Sequence, residues 1–368
     1  MTSVLVLNAG SSSLKVRALD DEDHVTAVLD LEHWDGRPDH EELEKFLQAQ
    51  DGVDVIGHRV VHGGSRFSRA AAIDEAVISA IEDLASLAPL HQRRALDGIR
   101  AARAALPGRP AFACFDTAFH ATLPAAAATF ALPGAWTARY GLRRYGFHGL
   151  SHAYAARRSA QLTGQDAKLM RVVTCHLGAG SSLAAIQNGI SADTTMGFTP
   201  LDGLVMATRP GSLDPGLLIW LLQQHRLSLA EVAHGLEYEA GLAGLAGGSG
   251  DMRDIRAAAA AGSDSARLAI EVHAHRLRAE IAAMAAAMDG LDVLAFTGGV
   301  GEHQPEGRAE AAAGLGFLGV AIDPVANAAA TSDADISAAG AAVRTLVITA
   351  REDLEIARQV RAALRESP

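Results

Sequence analysis

The sequence predicts an α/β protein built from two related halves. Its 368 residues suffice for two domains of ordinary size, and a hydrophobic content of 49% supplies a core for each. The pattern Leu-x-Ala-Gly-Ser-Ser occurs at residues 7–12 and again at residues 177–182. Strand-like and helix-like segments alternate after each copy, which is typical of an α/β fold. The repeat and the alternation together indicate a duplicated architecture.

Each copy of the motif is predicted to be a tight turn between two strands. Apolar runs precede the copies at residues 4–6 and 172–174, and strand-like runs follow at 14–19 and 183–186. Glycine admits positive φ and a close approach to a ligand, and consecutive N–H groups in such a turn bind anions. Gly-Ser turns are also common in ordinary hairpins, and no Walker lysine follows either copy. Two phosphate-binding hairpins that hold a nucleotide remain the sharper interpretation.

The rest of the first half is predicted as strands that alternate with helices. Helices are expected at residues 41–50, 75–87 and 97–106, and strands at 53–56 and 111–115. The last of these strands delivers Asp116 at its carboxyl end, where ligand-binding residues lie in open α/β sheets.

The second half is predicted to follow the same plan. A long alanine-rich helix is expected at residues 264–288, with Ser263 as its N-cap. His273 and His275 are two residues apart on it and share no face, so we expect packed or solvated histidines rather than metal ligands. A strand at 293–296 leads into a glycine turn that opens a helix, and the predicted elements end with a strand at 346–349 and a helix at 353–364.

Composition excludes several classes of function. A formal net charge of −11 argues against nucleic acid or an anionic membrane as the main partner. No apolar run approaches the length of a membrane span, and no basic segment precedes an apolar one at the N-terminus. Cys114 and Cys175 are the two cysteines, and both lie in apolar runs. Buried, reduced thiols in a cytoplasmic protein are therefore expected.

A small set of polar residues could carry phosphoryl or carboxylate chemistry. Arg59 and Arg209 lie near glycines, and guanidinium groups bind carboxylates and phosphates in a bidentate manner. His148 could donate a hydrogen bond to a phosphoryl oxygen, and Asp116 and Glu352 are candidate metal or base carboxylates. Each residue alone has an ordinary explanation, such as a surface ion pair, a packed histidine or a helix cap.

Together these residues make the chain resemble the acetokinase family over almost its whole length. The segments that carry the resemblance occur in the family's order: residues 8–15, 57–64, 115–120, 145–152, 197–201 and 296–302. The resemblance implies two duplicated ribonuclease-H-like (actin-like ATPase) domains with the active site in the interdomain cleft. The implied domains are residues 1–147 and 148–352, and a C-terminal helix at 353–368 packs back on the first.

The resemblance implies a reversible acetate kinase of the cytoplasm that transfers the γ-phosphate of ATP directly to acetate, giving acetyl phosphate and ADP. It implies Mg²⁺ or Mn²⁺ as the metal and a homodimer as the assembly. Acetate has no proton to remove at neutral pH, so Asp116 is expected to orient the metal or an arginine rather than act as a base. Two alternatives stay open: a propionate or other short-chain carboxylate kinase, and a nucleotide-binding sensor without turnover.

The resemblance also implies a role for each matching position. The catalytic set is Asp116, His148 and Arg209. The carboxylate is bound by Arg59, and its methyl group by Val61, Leu90, Phe147 and Pro200. The metal is held by Asn8 and Glu352. The nucleotide and its phosphates are contacted by Ser11, Ser13, Lys15, His176, Leu177, Gly178, Ala179, Gly180, Asp251, Met252, Arg253, Gly299, Val300, Gly301, Glu302 and His303.

Departures from the family pattern concentrate on the nucleotide side. Ala179 stands where the family has asparagine, Met252 where it has phenylalanine, and His303 where it has asparagine. The positions implied for carboxylate and phosphoryl binding match the family. The departures therefore affect the choice of nucleotide more than the class of reaction.

Overall fold

The computed structural model describes residues 2–10, 13–32, 34, 40–224 and 226–366, without the side chains of Ser86, Pro89 and Leu90. The strands are β1 (Val4–Ala9), β2 (Leu14–Leu19), β3 (Val25–Leu31), β4 (Val55–Val60), β5 (Ala71–Ala72), β6 (Ala111–Phe115), β7 (Arg171–Leu177), β8 (Ser181–Gln187), β9 (Ile190–Thr194), β10 (Val293–Thr297), β11 (Ala334–Asp335) and β12 (Arg344–Val347).

The α-helices are α1 (Glu41–Gln48), α2 (Glu75–Asp83), α3 (Pro89–Ala105), α4 (Ala125–Ala128), α5 (Gly134–Tyr140), α6 (Gly149–Thr163), α7 (Pro215–Gln224), α8 (Leu229–His234), α9 (Gly241–Ala246), α10 (Met252–Ala260), α11 (Asp264–Ala287), α12 (Gly298–His303), α13 (Pro305–Ala312), α14 (Pro324–Ala329) and α15 (Glu352–Glu366). No helix in the described part of the chain is long and apolar enough to span a membrane.

The strands form two six-stranded sheets with the same topology. The first has the order β3-β2-β1-β4-β6-β5, and the second has the order β9-β8-β7-β10-β12-β11. In each sheet three strands form an antiparallel meander. The inner strand of the meander, β1 or β7, also runs parallel to the next two strands, and a short antiparallel strand lies at the edge. The predicted duplicated α/β architecture is confirmed.

The first compact unit runs to Ala121, takes up Phe147–Tyr154 and ends with the segment that begins at Arg351. One face of its sheet packs against α3 and α1, and the other packs against α15. Ile356 and Val360, one turn apart on α15, are fully buried against Val4 and Val55. The end of the chain thus completes the core that its beginning started.

The second compact unit comprises Thr122–Gly146 and Ala155–Ala350. Its sheet is covered by α11, which Ser263 caps by accepting a hydrogen bond from the main-chain N–H of Ala266. Leu277 and Ile281 of this helix are buried against strand residues such as Val173 and Phe296. The prediction of this helix and of its N-cap is confirmed.

The unit boundaries differ from the predicted division at residues 147 and 148. Residues 122–146 belong to the second unit, where the N–H of Tyr145 donates to the carbonyl of Gly197. Phe147–Tyr154 belongs to the first unit, where the N–H of Gly149 donates to the carbonyl of Asp116 at 3.0 Å. The main-chain hydrogen bonds explain the exchange of both short segments.

Candidate active site

Arg59 lies at the centre of a polar cluster at the carboxyl ends of the parallel strands in the first unit. Its Nε donates to both carboxylate oxygens of Asp116 at 3.2 and 3.1 Å, and its Nη2 donates to Oδ2 at 2.7 Å. Its Nη1 donates to Oδ1 of Asn8 at 3.1 Å and lies 3.6 Å from Oε2 of Glu352. Asn8 in turn donates to Oε2 of Glu352 at 2.6 Å. The structure therefore brings together four of the predicted site residues.

Chain topology explains why these four residues meet. Asn8 lies near the end of β1, Arg59 near the end of the parallel neighbour β4, and Asp116 directly follows β6, which is parallel to β4. Glu352 is the first residue of α15, the helix that packs across the same sheet. Parallel strands place their carboxyl ends at one edge, as the sequence predicted for Asp116.

The cluster uses only part of the hydrogen-bonding capacity of Arg59. A guanidinium has five N–H donors. Asp116 takes those on one side of the group and Asn8 takes one on Nη1, which leaves one donor on each terminal nitrogen. Two donors are the number that a bidentate carboxylate requires.

The electrostatics of the cluster raise the pKa of Asp116. Its side chain is fully buried, and burial raises the pKa of its carboxyl group to about 6; Arg59 opposes the shift and Glu352 adds to it. Burial alone would lower the pKa of the Arg59 guanidinium, but Asp116 and Glu352 raise it above its ordinary value. One cation thus serves two carboxylates, and the site retains the capacity to bind a further cation.

His148 has a strained backbone conformation and directly precedes a residue that is hydrogen-bonded to Asp116. Its φ of 54° lies in the left-handed region, which is uncommon for a residue other than glycine. The next residue, Gly149, donates its N–H to the carbonyl of Asp116, and a Cβ at Gly149 would overlap that carbonyl oxygen. The glycine therefore permits the contact that joins the turn at His148 to the main chain of Asp116.

The residues expected to bind the acyl methyl group are distributed over both units. Val61 and Phe147 belong to the first unit and are 5% and 1% exposed. The ring of Phe147 makes an edge contact with His62. Leu90 is part of α3, but its side chain is not among the described atoms. Pro200 belongs to the second unit, where its carbonyl accepts from Nη1 of Arg209 at 2.7 Å.

Asn8 and Glu352 offer oxygen ligands, as the resemblance implied for the metal. The described residues contain no group of three or more His, Cys, Asp or Glu side chains that could hold a metal ion. Magnesium in kinases is commonly held by one or two protein oxygens, by substrate phosphates and by water. Oε2 of Glu352 and Oδ1 of Asn8 fit that kind of site, since it needs no complete protein cage.

The two motif hairpins differ in register. The first closes with the pair Ala9–Leu14, and the second closes with Leu177–Ser181, so that its turn is one residue shorter. Counted from those closing pairs, Asn8 and Lys15 correspond to His176 and Ser182. The repeated motif alone aligns Asn8 with Gly178 and Lys15 with Ala185, and the shorter turn shifts the second motif along its strand.

The first hairpin places an exposed lysine beside Asn8. Lys15 lies on β2 directly opposite Asn8 in the ladder. The turn is closed by a 2.7 Å hydrogen bond from the N–H of Gly10 to the carbonyl of Ser13, while Ser11 lies outside the described residues. Neither Gly10 nor Gly178, both described, has a φ in the left-handed region. Close approach of the backbone, rather than positive φ, is therefore the use of these glycines.

The second hairpin borders a cavity of about 530 Å³ that lies within the second unit. Gly178 and Ala179 line it, as do seven other residues of the predicted nucleotide set or its neighbours: Ser181, Asp251, Met252, Arg253, Gly299, Val300 and His303. Asp251 caps α10 and forms an ion pair with the exposed Arg253 at 2.6 Å. This cavity gathers most of the predicted nucleotide-binding segments.

Within the second unit, five predicted nucleotide residues do not line this cavity. His176, Leu177 and Gly180 flank the lining positions in the second hairpin. Glu302 instead accepts hydrogen bonds from the N–H groups of Gly298 and Ala350, at 3.0 Å each, and Gly301 accepts from Arg308 at 2.8 Å. Glu302 and Gly301 therefore brace the start of α12, which presents Gly299 and Val300.

The cavity also has walls that the sequence did not predict. They include four consecutive residues just before Arg209, together with residues on four other segments: Val205, Met206, Ala207, Thr208, Leu242, Gly250, His273 and Gln304. Nearness in sequence to Arg209 and Asp251 was a usable signal for Thr208 and Gly250. Leu242 and His273 carried no such signal, because their helices reach the cavity only through tertiary packing.

Arg209 is a partly buried cation without a carboxylate ion pair among the described residues. Burial lowers the pKa of its guanidinium, and Glu237 opposes the shift from a longer distance. Its Nη1 donates a hydrogen bond to a neutral group, the carbonyl of Pro200. A buried charge without a counter-ion is costly, so this position favours an anionic ligand.

Comparison with known proteins agrees with the architecture of two six-stranded sheets described above. The sequence profile of the Acetokinase family matches residues 37–358. An acetate kinase from a Synechococcus species is 52% identical over 305 residues, which cover 83% of this chain and 75% of that protein.

Two solved structures match nearly the whole chain. The acetate kinase of Porphyromonas gingivalis superimposes with a TM-score of 0.90 at 34% identity, over 99% of this chain and 100% of that one. A propionate kinase from Francisella tularensis gives a TM-score of 0.89 at 34% identity, over 98% and 99%. The chain belongs to the acetokinase family, as the sequence predicted.

Proposed function

We propose that this protein is an acetate kinase, which reversibly transfers the γ-phosphate of ATP to acetate with Mg²⁺ and yields acetyl phosphate and ADP. The observation that carries the proposal is Arg59, held by Asp116 and Asn8 with two donors left over. Membership of the acetokinase family supports the same reaction.

Arg59 binds the acetate carboxylate in this proposal. The bidentate contact with Asp116 fixes the guanidinium plane, so that its two remaining donors have a set direction. The methyl group lies against Val61, Leu90, Phe147 and Pro200. Acetate attacks as an anion, and Asp116 therefore serves to orient Arg59 and does not remove a proton.

Asn8 and Glu352 hold the metal ion in the loaded enzyme. Mg²⁺ supplies positive charge that neutralises the phosphate oxygens of the nucleotide. Lys15, Ser11 and Ser13 of the first hairpin add donors for phosphate oxygens. Without the metal, Arg59 restrains both Asn8 and Glu352.

The second unit binds the nucleotide in the 530 Å³ cavity. The turn of residues 178–181 offers main-chain N–H groups to the phosphates, while Asp251, Met252, Arg253 and the start of α12 contact the nucleoside. This site is shaped by the segments at residues 176–180 and 301–303 and by their neighbours. ADP is bound in the same way in the reverse reaction.

Arg209 and His148 stabilise the transferring phosphoryl group. In-line transfer needs positioning and charge neutralisation more than covalent chemistry. Arg209 is a partly buried cation that lacks a carboxylate partner among the described residues, and His148 is held in a defined backbone conformation. Both groups stabilise the transition state by hydrogen bonds to its equatorial oxygens.

An acetate- and ATP-dependent hydroxamate assay with Mg²⁺ tests the reaction. Hydroxylamine traps acetyl phosphate, so product should accumulate in proportion to enzyme and disappear when acetate or ATP is omitted. No product above background, with ADP binding intact, would instead identify a nucleotide-binding sensor.

A short-chain carboxylate kinase with a preference for propionate is the second candidate. The propionate kinase of Francisella tularensis matches this chain with nearly the same TM-score as the acetate kinase does. One additional methylene in an apolar pocket changes binding by only about 1–3 kcal/mol. A kcat/KM for propionate above that for acetate would replace acetate as the assigned substrate.

We also propose a homodimer that uses α7. The helix is apolar on all sides but buries none of its residues in the described chain, and Ile219 and Trp220 are 53% and 50% exposed. Such a helix is typical of an interface with another chain. Sedimentation equilibrium should give a dimer, and Ile219→Glu should give a monomer.

The buried free thiols of Cys114 and Cys175 suit a cytoplasmic protein.

A further inference from the structure

His273 is a buried polar side chain in the wall of the nucleotide cavity. It is 7% exposed and lies on α11, where it continues the face formed by Ala266 and Ala269. Those two alanines pack in an apolar cluster with Val205, Leu242, Met252 and Ile255. His273 thus places an imidazole at the border of an apolar cluster that itself lines the cavity.

The described residues provide no hydrogen bond to the imidazole of His273. The two charged groups that act on its pKa, Arg256 and Glu310, are bound to each other by two hydrogen bonds of 2.9 and 2.7 Å. A buried polar group without a partner is unfavourable, and a ligand that supplies the partner gains the difference. Burial lowers the pKa of His273 to about 4, so that the ring is neutral at physiological pH.

We propose that His273 hydrogen-bonds the edge of the nucleotide base and makes the cavity a purine site that accepts both 6-amino and 6-oxo bases. This inference rests on the proposed binding of ATP and ADP in the same cavity. His273 is then a specificity-determining residue for the phosphoryl donor.

The composition of the wall assigns the base, rather than the phosphates, to His273. The phosphates require the N–H groups of the hairpin at Gly178 and Ala179, which line the cavity elsewhere. The cavity's lining side chains Val205, Leu242, Met252 and Val300 are apolar and suit the flat faces of a base. They pack in the cluster that includes Ala266 and Ala269, which precede His273 on the same face of α11. A neutral ring next to such faces recognises an uncharged, polar edge.

The chemistry of imidazole explains the tolerance for two kinds of purine. A neutral imidazole has one donor and one acceptor nitrogen, and its two tautomers exchange them. Adenine presents an exocyclic amino donor where guanine and hypoxanthine present a carbonyl acceptor. His273 satisfies either edge by choosing the tautomer, whereas a phenylalanine at this position satisfies neither.

Isothermal titration calorimetry on the full-length protein with Mg²⁺ tests the inference through ADP, IDP and pyrophosphate. Wild-type protein should bind ADP and IDP with Kd values within about threefold. His273→Phe should weaken both by about tenfold, equivalent to about 1.4 kcal/mol, and leave pyrophosphate binding unchanged. His273→Gln keeps a donor and an acceptor and should restore binding to within about threefold of wild type. His275→Phe, at an exposed position of the same helix, is the matched control and should change nothing.

Four results would overturn the inference: undiminished ADP binding in His273→Phe, an equal loss of ADP and pyrophosphate, a loss in His273→Gln as large as in His273→Phe, or a wild-type preference above tenfold between ADP and IDP. Calorimetry needs no acetate and no turnover. A failed hydroxamate assay with these binding results intact would therefore refute the proposed kinase activity alone.

Discussion

At the scale of single residues, the distribution of the hydrogen-bond donors of Arg59 among its partners defines the candidate active site. Asp116 occupies one side of Arg59, Asn8 occupies part of another, and two donors remain. A lysine at this position would keep the charge but could not hold Asp116, Asn8 and a carboxylate in fixed directions at once. Planarity, and not charge alone, is what the site uses.

Arg59→Lys should therefore be nearly as inactive as Arg59→Ala. We expect both to lower kcat/KM for acetate on the order of 10³-fold, as loss of a transition-state arginine does. Arg17→Lys, in another bidentate arginine–aspartate pair of the same sheet, is the matched control and should keep wild-type activity. Substantial activity in Arg59→Lys, with the thermal unfolding of both variants unchanged, would contradict the assigned role.

The raised pKa of Asp116 makes activity and stability respond to pH in opposite directions. Below about pH 6 the carboxyl gains a proton and orients Arg59 less well, so kcat/KM should fall. Because the folded-state pKa exceeds the ordinary aspartate value of 3.8, this group stabilises the fold at low pH, and that contribution is lost as pH rises toward 6.

Kinetics at a constant concentration of acetate anion, and urea unfolding at the same pH values, would measure both effects. Asp116→Asn should show low activity without an acid limb near pH 6. An acid limb that survives in Asp116→Asn would assign the titration to another group.

At the scale of elements, the start of α6 shows how one glycine positions two site residues. Gly149 donates its N–H to the carbonyl of Asp116 and follows the left-handed His148. The sequence predicted that His148 belongs to the site, but not this contact, because it joins elements that are distant in the chain. Close approach of two backbones is a tertiary property that glycine permits but does not announce.

Gly149→Ala should damage both stability and activity. The new Cβ would overlap the carbonyl oxygen of Asp116, and relief of such a clash typically costs about 1–3 kcal/mol. We expect kcat to fall at least tenfold, because His148 and Asp116 shift together. Gly134→Ala, at the first residue of α5, meets nothing within 4 Å and should change the free energy of unfolding by less than about 0.5 kcal/mol. Equal behaviour of the two variants would remove the positioning role.

The hairpins show what sequence repeats can and cannot predict. The two strand–turn–strand units were predictable because apolar runs flank each motif, and both occur. Their register was not, because the closing pair depends on turn geometry and on the neighbouring strands. His176, rather than Gly178, therefore takes the ladder position that Asn8 has in the first hairpin.

At the scale of the whole molecule, the duplication accounts for two sheets of identical strand order, and divergence accounts for their different sites. The major alternation of strands and helices was predictable from periodicity. The short edge strands β5 and β11 were not, because two residues carry no periodic signal. The exchange of residues 122–154 between units also left no trace in composition.

Removal of apolar contacts on α15 should weaken the first unit from its far end. Ile356 is fully buried against β1 and β4, so Ile356→Ala should cost about 2–5 kcal/mol. Glu352 lies one turn away, and the variant should therefore also bind Mg²⁺ more weakly in its complex with ADP. Val325→Ala, at a 78% exposed position, is the control for both measurements. Wild-type hydrogen exchange at the amides of β1 in Ile356→Ala would contradict this account.

The return of α15 to the first sheet has a consequence for biosynthesis. The ribosome synthesises β1 before the second sheet, but it synthesises α15, which covers one face of the sheet of β1, after every strand of the second sheet. Synthesis from the N-terminus usually lets the leading domain fold first. In this protein the second unit can fold while the first unit still exposes Val4, Val6 and Val55, because α15 has not yet been synthesised. A nascent chain that ends before Glu352 therefore lacks a residue of its candidate active site. The apolar side chains of β1 also remain accessible to chaperones in such a chain.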